Sequence, residues 1–258
     1  MKRLFLILSI IIMWDIKGFS SEVMPWVIST SIGGVNLTGF YSISSQEINF
    51  NIEKDTVNLN GITFTDEAIY PIDSNLATVA AKVSIRPGIG FDIFVKAGMV
   101  KPLLKKQTPL ATKKWKTDNY DYFYGCGGKY VVAGDMILLP QIAIELGINN
   151  YNGKIEQYSY LGEKTPISQR LSILQFQGSL IISKSFLAVT PYGGIKFFYT
   201  KANWEDKENG STIKGSKTGY SPFIGLSYSV LPFMNIKLET SFIDEISYAG
   251  GLSFNIGI

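Results

Sequence analysis

From residue 77 onward the chain alternates apolar and polar residues. Between 77 and 87, Val79, Ala81, Val83 and Ile85 are spaced by Thr78, Ala80, Lys82, Ser84 and Arg86. Beyond a Pro87-Gly88 turn, Phe91, Ile93, Val95, Ala97 and Met99 are spaced by Asp92, Phe94, Lys96 and Gly98. A period of two means strands with one apolar and one polar face, and the turn joins this pair as an antiparallel hairpin. The pattern recurs over 120–132 (Tyr120, Tyr122, Tyr124, Cys126, Tyr130, Val132), 138–149 (Leu138 to Ile148), 169–183 (Leu174 to Ile182) and 189–200 (Val189 to Tyr199). It continues over 219–231 (Tyr220 to Val230) and 235–243 (Ile236 to Phe242), and the chain ends SYAGGLSFNIGI on the same alternation. A weaker version covers 35–43. About ten strands are expected, an even number.

The spacing between strands also alternates. Tight connections are expected near 87–90, 133–136, 184–187 and 231–233, and longer loops at 44–76, 101–119, 152–168 and 201–218; the 244–246 link is short on the long side. Short turns at one end and long loops at the other, with both termini on the short side, describe a membrane-spanning barrel. Pro140, Pro191 and Pro222 fall inside expected strands, where a proline removes a ladder hydrogen bond.

Charge fixes which face is inside. Lys82, Arg86, Asp92, Lys96, Asp121, Lys129, Glu145, Lys196, Lys237 and Glu239 share the face opposite the apolar residues, a load that soluble cores rarely carry. Tyr41, Tyr120, Tyr122, Tyr199, Tyr220, Phe242 and Tyr248 gather toward the long-loop end, and Phe91, Tyr130, Phe186, Tyr228 and Phe233 toward the other. Two aromatic girdles with aliphatics between them suit a wall that faces lipid. The fold class expected is an all-β, antiparallel transmembrane β-barrel, apolar outside and polar inside.

Composition narrows the chemistry. With 17% charged residues, 25 glycines, 14 tyrosines and 16 phenylalanines the chain suits strands. A net charge of +3, without a basic stripe interleaved with aromatics, argues against nucleic acid. There is no histidine and one cysteine, Cys126, so an intrachain disulfide, cysteine metal clusters and histidine-dependent nucleophilic schemes are excluded, and Cys126 reads as a small apolar filler. No catalytic, cofactor-binding or metal-ligating residue is assigned. Asp244-Glu245 are adjacent carboxylates that point to opposite faces of a strand, Glu205-Asp206 fall in a mixed-charge loop and read as solvated, and Gly125-Cys126-Gly127-Gly128 lacks the helix of a phosphate cradle. No cofactor is expected.

Met1-Lys2-Arg3, then LFLILSIIIMW (4–14), then Gly18, Ser20 and Ser21 form a basic, an apolar and a small-residue region. The apolar run is too short for the roughly 20 residues of a spanning helix. Residues 1–21 are expected to be a signal peptide and 22–258 the barrel domain.

The runs LETSFIDEISYAGGLSFNIG, TPYGGIKF, SPFIGLSY and AKVSIRPGIGFDIFVKAGM, within roughly residues 77–258, resemble a loose group of small bacterial outer-membrane β-barrel proteins. The resemblance implies fold and an outer-membrane location, not an activity. Ile258 stands where such chains usually end in an aromatic residue. Expected partners are outer-membrane lipid and lipopolysaccharide, with the barrel-assembly machinery during insertion. The expected role is a non-enzymatic, structural barrel or a narrow small-solute channel with a largely charge-filled lumen. The alternative is a surface interaction or adhesion module acting through the lysine-rich loop 101–119, KPLLKKQTPLATKKWKTDN.

Overall fold

The computed structural model describes residues 34–256 apart from 54–56, 60–61, 65–66, 89, 108–110, 137–138 and 207–211. The expected signal peptide (1–21) and Ile258 lie outside the described residues. Thirteen strands are described: β1 Val35–Glu53, β2 Val57–Leu59, β3 Ile62–Phe64, β4 Glu67–Gly88, β5 Phe91–Gln107, β6 Thr112–Lys116 and β7 Asp121–Ala133, then β8 Gln141–Tyr160, β9 Glu163–Ser183, β10 Val189–Asp206, β11 Thr212–Leu231, β12 Met234–Ser241 and β13 Glu245–Ile256. β2 and β3 form a separate small hairpin.

Ten strands close a ring in the order β1-β4-β5-β7-β8-β9-β10-β11-β12-β13. Its seam is the antiparallel pairing of the first and last strands, from Val35↔Ile256 to Gln46↔Glu245. The alternating C-terminal segment is therefore tied down by β1, and its apolar face looks outward with Tyr248, Phe254 and Ile256 exposed. Closure removes every sheet edge from the wall, which a strand crossing hydrocarbon requires.

Three of the expected long loops are largely strand, and much of the fourth is too. β1 runs ten residues beyond 43 and β4 starts at Glu67, while 101–107 and 112–116 belong to β5 and β6. β8 and β9 meet through the two-residue turn Leu161-Gly162, with φ of 51° and 88°, the positive pair of a type I′ hairpin. The strands thus rise past the membrane, and the ring changes as they do. β12 and β13 stop at the 242–244 tip, and above it β1 pairs directly with β11 through Asn49↔Ser216, Phe50↔Gly215 and Asn51↔Lys214. On the other side β6 continues the path of β7 between β5 and β8. The ten-stranded wall becomes an eight-stranded stub of β1, β4, β5, β6, β8, β9, β10 and β11.

The faces exchange polarity at the same level. Low on β10, Lys196 points in while Phe197 and Tyr199 are exposed; higher up, Ala202 and Trp204 point in while Lys201, Asn203 and Glu205 are exposed. On β9, Gln175 and Gln177 inside give way to Leu171 and Ile173, with Arg170 outside. On β1, Ser44 and Gln46 give way to Ile48 and Phe50, with Asn49 outside. The lower wall faces lipid and encloses polar groups; the upper wall faces water and encloses an apolar core, as an ordinary soluble barrel does.

The prolines fit for a local reason. Pro191 and Pro222 accept backbone hydrogen bonds from Lys184 and Phe242, just where the β9–β10 and β11–β12 ladders end at Tyr192↔Ser183 and Phe223↔Ser241. In an extended residue N–H and C=O point the same way, so each missing donor lies at a ladder end and little is lost. Pro140 immediately precedes β8.

Candidate functional site

The lumen holds two stacked layers. In the lower one, strand parity turns Lys82, Lys96, Lys129, Lys196, Lys237, Asp92, Glu145, Glu239 and Glu245 inward, all buried, with Arg86 partly so. Lys82 Nζ lies 3.7 Å from Glu145 Oε2 and 3.6 Å from the Phe94 ring centroid. Arg86 donates to Asp92 at 2.7 Å. Lys96 reaches Asn149 Oδ1 at 3.4 Å, and Asn149 donates on to Gln177 at 3.2 Å. Across the lumen Lys196 donates to Glu245 Oε1, whose second oxygen accepts from Gln175 Nε2 at 3.1 Å. Thr200 donates to Gln46 at 3.2 Å. Strands β1, β4, β5, β8, β9, β10 and β13 are thereby cross-linked from within. Aromatic rings occupy space that a ten-stranded ring would otherwise leave: a Cβ on Gly225 would run into the Tyr192 ring and one on Gly127 into Phe94, so these positions require glycine.

Above lies the apolar layer of the stub: Ile48, Phe50, Leu76, Val100, Leu104, Ile155, Leu171, Ile173 and Trp204. At its centre Trp204 meets Phe50 at 5.8 Å and Trp115 at 5.2 Å, both edge to face. Trp115 also packs on Tyr158 at 5.4 Å, and Trp204 Nε1 donates to Gln169 Oε1 at 3.0 Å, so its one polar atom is satisfied.

Two sequence assignments change. Asp121 does not enter the lumen; it sits at the start of β7 and accepts the Lys154 backbone N–H at 2.6 Å. Glu245, which the alternation alone leaves in a connecting link, is the buried partner of Lys196. Its neighbour Asp244 faces the other way, accepting from the Tyr220 N–H at 3.0 Å and pairing with Lys217 at 3.5 Å. Glu205 is exposed opposite Arg170. Cys126 is exposed on the outer wall.

The lysine-rich segment 101–119, expected as a loop, is paired strand over its described residues 101–107 and 112–116, the ends of β5 and β6. It sets like charges opposite one another, Lys105↔Lys114 and Lys106↔Lys113. Such rungs are unfavourable on their own. Partial burial at the mouth, and then the Lys113 ammonium, hold the Lys106 ammonium below the usual lysine value. The break between β6 and β7 is pinned by Glu156, which accepts from Thr117 at 3.2 Å and from Asn119 at 3.1 Å, and by Lys101 donating to the Asp118 carbonyl at 3.0 Å.

No protein-family model matches the chain, and no curated protein matches it in sequence. Solved structures of outer-membrane barrels do match. The outer-membrane protease OmpT of Escherichia coli aligns at 11% identity and TM-score 0.48 over 89% of this chain and 99% of its own. OprG of Pseudomonas aeruginosa aligns at 11% and 0.45 over 88% and 97%. Ail, the attachment invasion locus protein of Yersinia pestis, aligns at 10% and 0.39 over 88% and 100%. A closed antiparallel ring with Val95 57% and Leu238 53% exposed on its outside and Lys196 fully buried within is a wall built for a bilayer. The described residues form an all-β, closed antiparallel barrel of the kind that crosses a membrane with its strands.

Proposed function

We propose that the protein is a sealed, non-enzymatic barrel that holds a rigid eight-stranded stub and its hairpins at the cell surface. One observation carries this reading: the Phe50–Trp204–Trp115 cluster lies across the upper lumen, directly above an ion-paired lower layer. A solute would have to displace both a packed aromatic core and a charge network. The non-enzymatic part rests on the absence of histidine from the whole chain and on the division of Asp244 and Glu245 between opposite faces. Planar-bilayer recording of the folded protein tests it. The expected result is no current above bare lipid; stable unitary steps would replace the scaffold with a channel.

A second reading is supported by the like-charge rungs of the β5–β6 hairpin. The two lysine pairs lie on opposite faces of the β5–β6 ladder, Lys105↔Lys114 outward and Lys106↔Lys113 toward the mouth, and each favours an anionic polymer that would neutralise it, so the scaffold would serve to present this basic tip. Sulfated or phosphorylated polysaccharide should bind in a salt-dependent way and lose affinity when Lys105, Lys106, Lys113 and Lys114 are changed to Gln. Binding that ignores both salt and these changes would remove this reading.

A further inference from the structure

The outward face of β7–β10 carries a vertical sequence of side chains that no part of the sealed lumen uses. Its lowest relevant rung is Phe197↔Gly178↔Leu146↔Gly128, and the next is Tyr199↔Phe176↔Ile148↔Cys126. Two glycines in one rung remove side chains from an otherwise bulky apolar wall. The result is a groove of about 640 Å³ bounded by Leu146, Ile148, Phe176, Phe197 and Tyr199. Neighbouring strands are about 4.8 Å apart, so omitting a side chain opens a slot of roughly one hydrocarbon chain's width.

Polarity changes directly above the groove. The third rung, Lys201↔Leu174↔Asn150↔Tyr124, is mixed: it brings the first cation and amide to the surface beside Leu174 and the exposed Tyr124, with the Lys201 ammonium 5.5 Å from the Tyr199 ring centroid. The fourth rung is Asn203↔Ser172↔Asn152, wholly amide and hydroxyl. The fifth places Arg170 between Glu205 and Lys154. Arg170 and Lys154 are like charges directly opposite, an arrangement that costs stability unless an anion lies between them. Among the described residues the acidic groups at this patch are Glu205, directly opposite Arg170, Asp121, and Glu156 two residues above Lys154 on β8, the last already accepting from Thr117 and Asn119.

We propose that this face binds one phosphorylated glycolipid of the outer leaflet, with an acyl chain in the groove and a bis-phosphorylated sugar headgroup on the polar rungs. The spacing decides against a simple phospholipid. Lys201 and the Arg170–Lys154 rung are separated by four residues along β10, roughly 13 Å at strand rise, too far for one phosphate to touch both. Two phosphates with sugar between them match cation, amide-hydroxyl band, cation in that order. The phosphates accept charge-assisted hydrogen bonds from Lys201 below and from Arg170 and Lys154 above. The sugar hydroxyls meet Asn150, Asn152, Ser172 and Asn203. This inference goes beyond the scaffold reading and survives its failure, because a conducting barrel has the same outer wall.

The test is native mass spectrometry of detergent-purified, folded protein mixed separately with diphosphoryl lipid A, monophosphoryl lipid A, phosphatidylglycerol and inorganic pyrophosphate. Two variants accompany it, K154Q/R170Q/K201Q and the groove-filling G178F, each accepted only if it keeps heat-modifiable gel mobility. Diphosphoryl lipid A should be retained about tenfold better than the other three, and the triple variant should lose that preference by a similar factor, since each charge-assisted bond contributes about a tenfold step. As a readout independent of G178F folding, an environment-sensitive dye on Cys126 should shift with diphosphoryl lipid A and not with pyrophosphate. Equal retention of the three lipids, pyrophosphate binding as tight as lipid A, or preference unchanged in the triple variant would each overturn the proposal.

Discussion

Lys196 and Glu245 meet inside the barrel with side chains 0% and 1% exposed, joining β10 to the very start of β13. The pair sits at the level where the β12–β13 hairpin ends and the ring narrows, so it anchors the β12–β13 tip to β10 across the lumen. Removing one partner leaves an uncompensated buried charge, and E245A or K196A should destabilise the folded barrel by about 3–5 kcal/mol. The double change K196M/E245L should recover much of that loss. Urea unfolding in lipid vesicles, followed by tryptophan fluorescence, measures both.

Glu239 provides a contrast within the same layer. The residue is buried, and the hydroxyl beside its carboxylate, that of Tyr192, is shared with the Leu238 carbonyl at 3.3 Å. Its charge is therefore less well supported than that of Glu245, and E239Q should be far milder than E245A, within about 1 kcal/mol of the parent. The same unfolding measurement applies, and a loss as large as that of E245A would contradict the assignment.

Trp204 ties β10 to β1 and β6 through its edge-to-face contacts with Phe50 and Trp115. W204A should cost the stub about 3–5 kcal/mol, the usual range for removing a buried aromatic. Because the lower barrel has its own network, the loss should appear as local opening. Limited proteolysis should cut the β5–β6 and β10–β11 hairpins first, while heat-modifiable mobility of the membrane-embedded part persists.

Much of the lower barrel is legible in the sequence because one face meets lipid along its full height, and alternation of Val95 with Lys96 or Leu238 with Glu239 fits a wall between lipid and a polar lumen far better than a soluble sheet. The stub is not, although its residues alternate as strictly. Gln46, Ile48 and Phe50 point inward and Glu47 and Asn49 outward, so the apolar parity on β1 switches near Gln46. Tracking one apolar face loses the strand at that point and yields a loop. The same inversion hides 201–206 on β10 and 101–107 on β5. Glu245 escapes notice because the link at 244–246 gives no sign that β13 has already begun, and Asp121 shares the inward parity of Phe123 and Lys129 but, as the first residue of β7, turns its carboxylate onto the Lys154 N–H at the β6–β7 break. The lipid-facing groove is beyond the reach of sequence, since Gly128 and Gly178 become neighbours of Leu146 only through strand register.

The short-turn end offers a pH-dependent tie. Asp135, between β7 and β8, accepts from Lys184 Nζ at 2.7 Å and from the Ser185 N–H at 2.9 Å. These bonds, the Lys184 side chain first, hold its carboxyl below the usual aspartate value. A lowered folded-state value means the contribution is present above the ordinary value of about 3.9 and is lost as pH falls through the lowered one. Amide exchange at Ser185 should therefore accelerate on acidification beyond its intrinsic trend, and D135N should abolish that pH dependence.

The lipid-facing wall should tolerate charge only above the rim. V95R, on an exposed low position of β5, should cost about 2–4 kcal/mol, the range for arginine near the bilayer midplane. N49R, on the outward face of β1 above the polarity switch, should change stability by less than about 0.5 kcal/mol. Folding efficiency into vesicles distinguishes them, and equal penalties would place both positions in one solvent.

The exchange of faces along a single strand is tested most directly by labelling. In a Cys126→Ser background, single cysteines at 195, 197, 203 and 205 on β10 carry a fluorophore in reconstituted bilayers, and quenching is compared between a lipid-dissolved and an aqueous quencher. Labels at 195 and 197 should respond to the lipid quencher and those at 203 and 205 to the aqueous one, with the crossover near 201. Aqueous quenching at 195 and 197, or lipid quenching that continues through 203 and 205, would contradict a wall that passes from hydrocarbon to water within one strand.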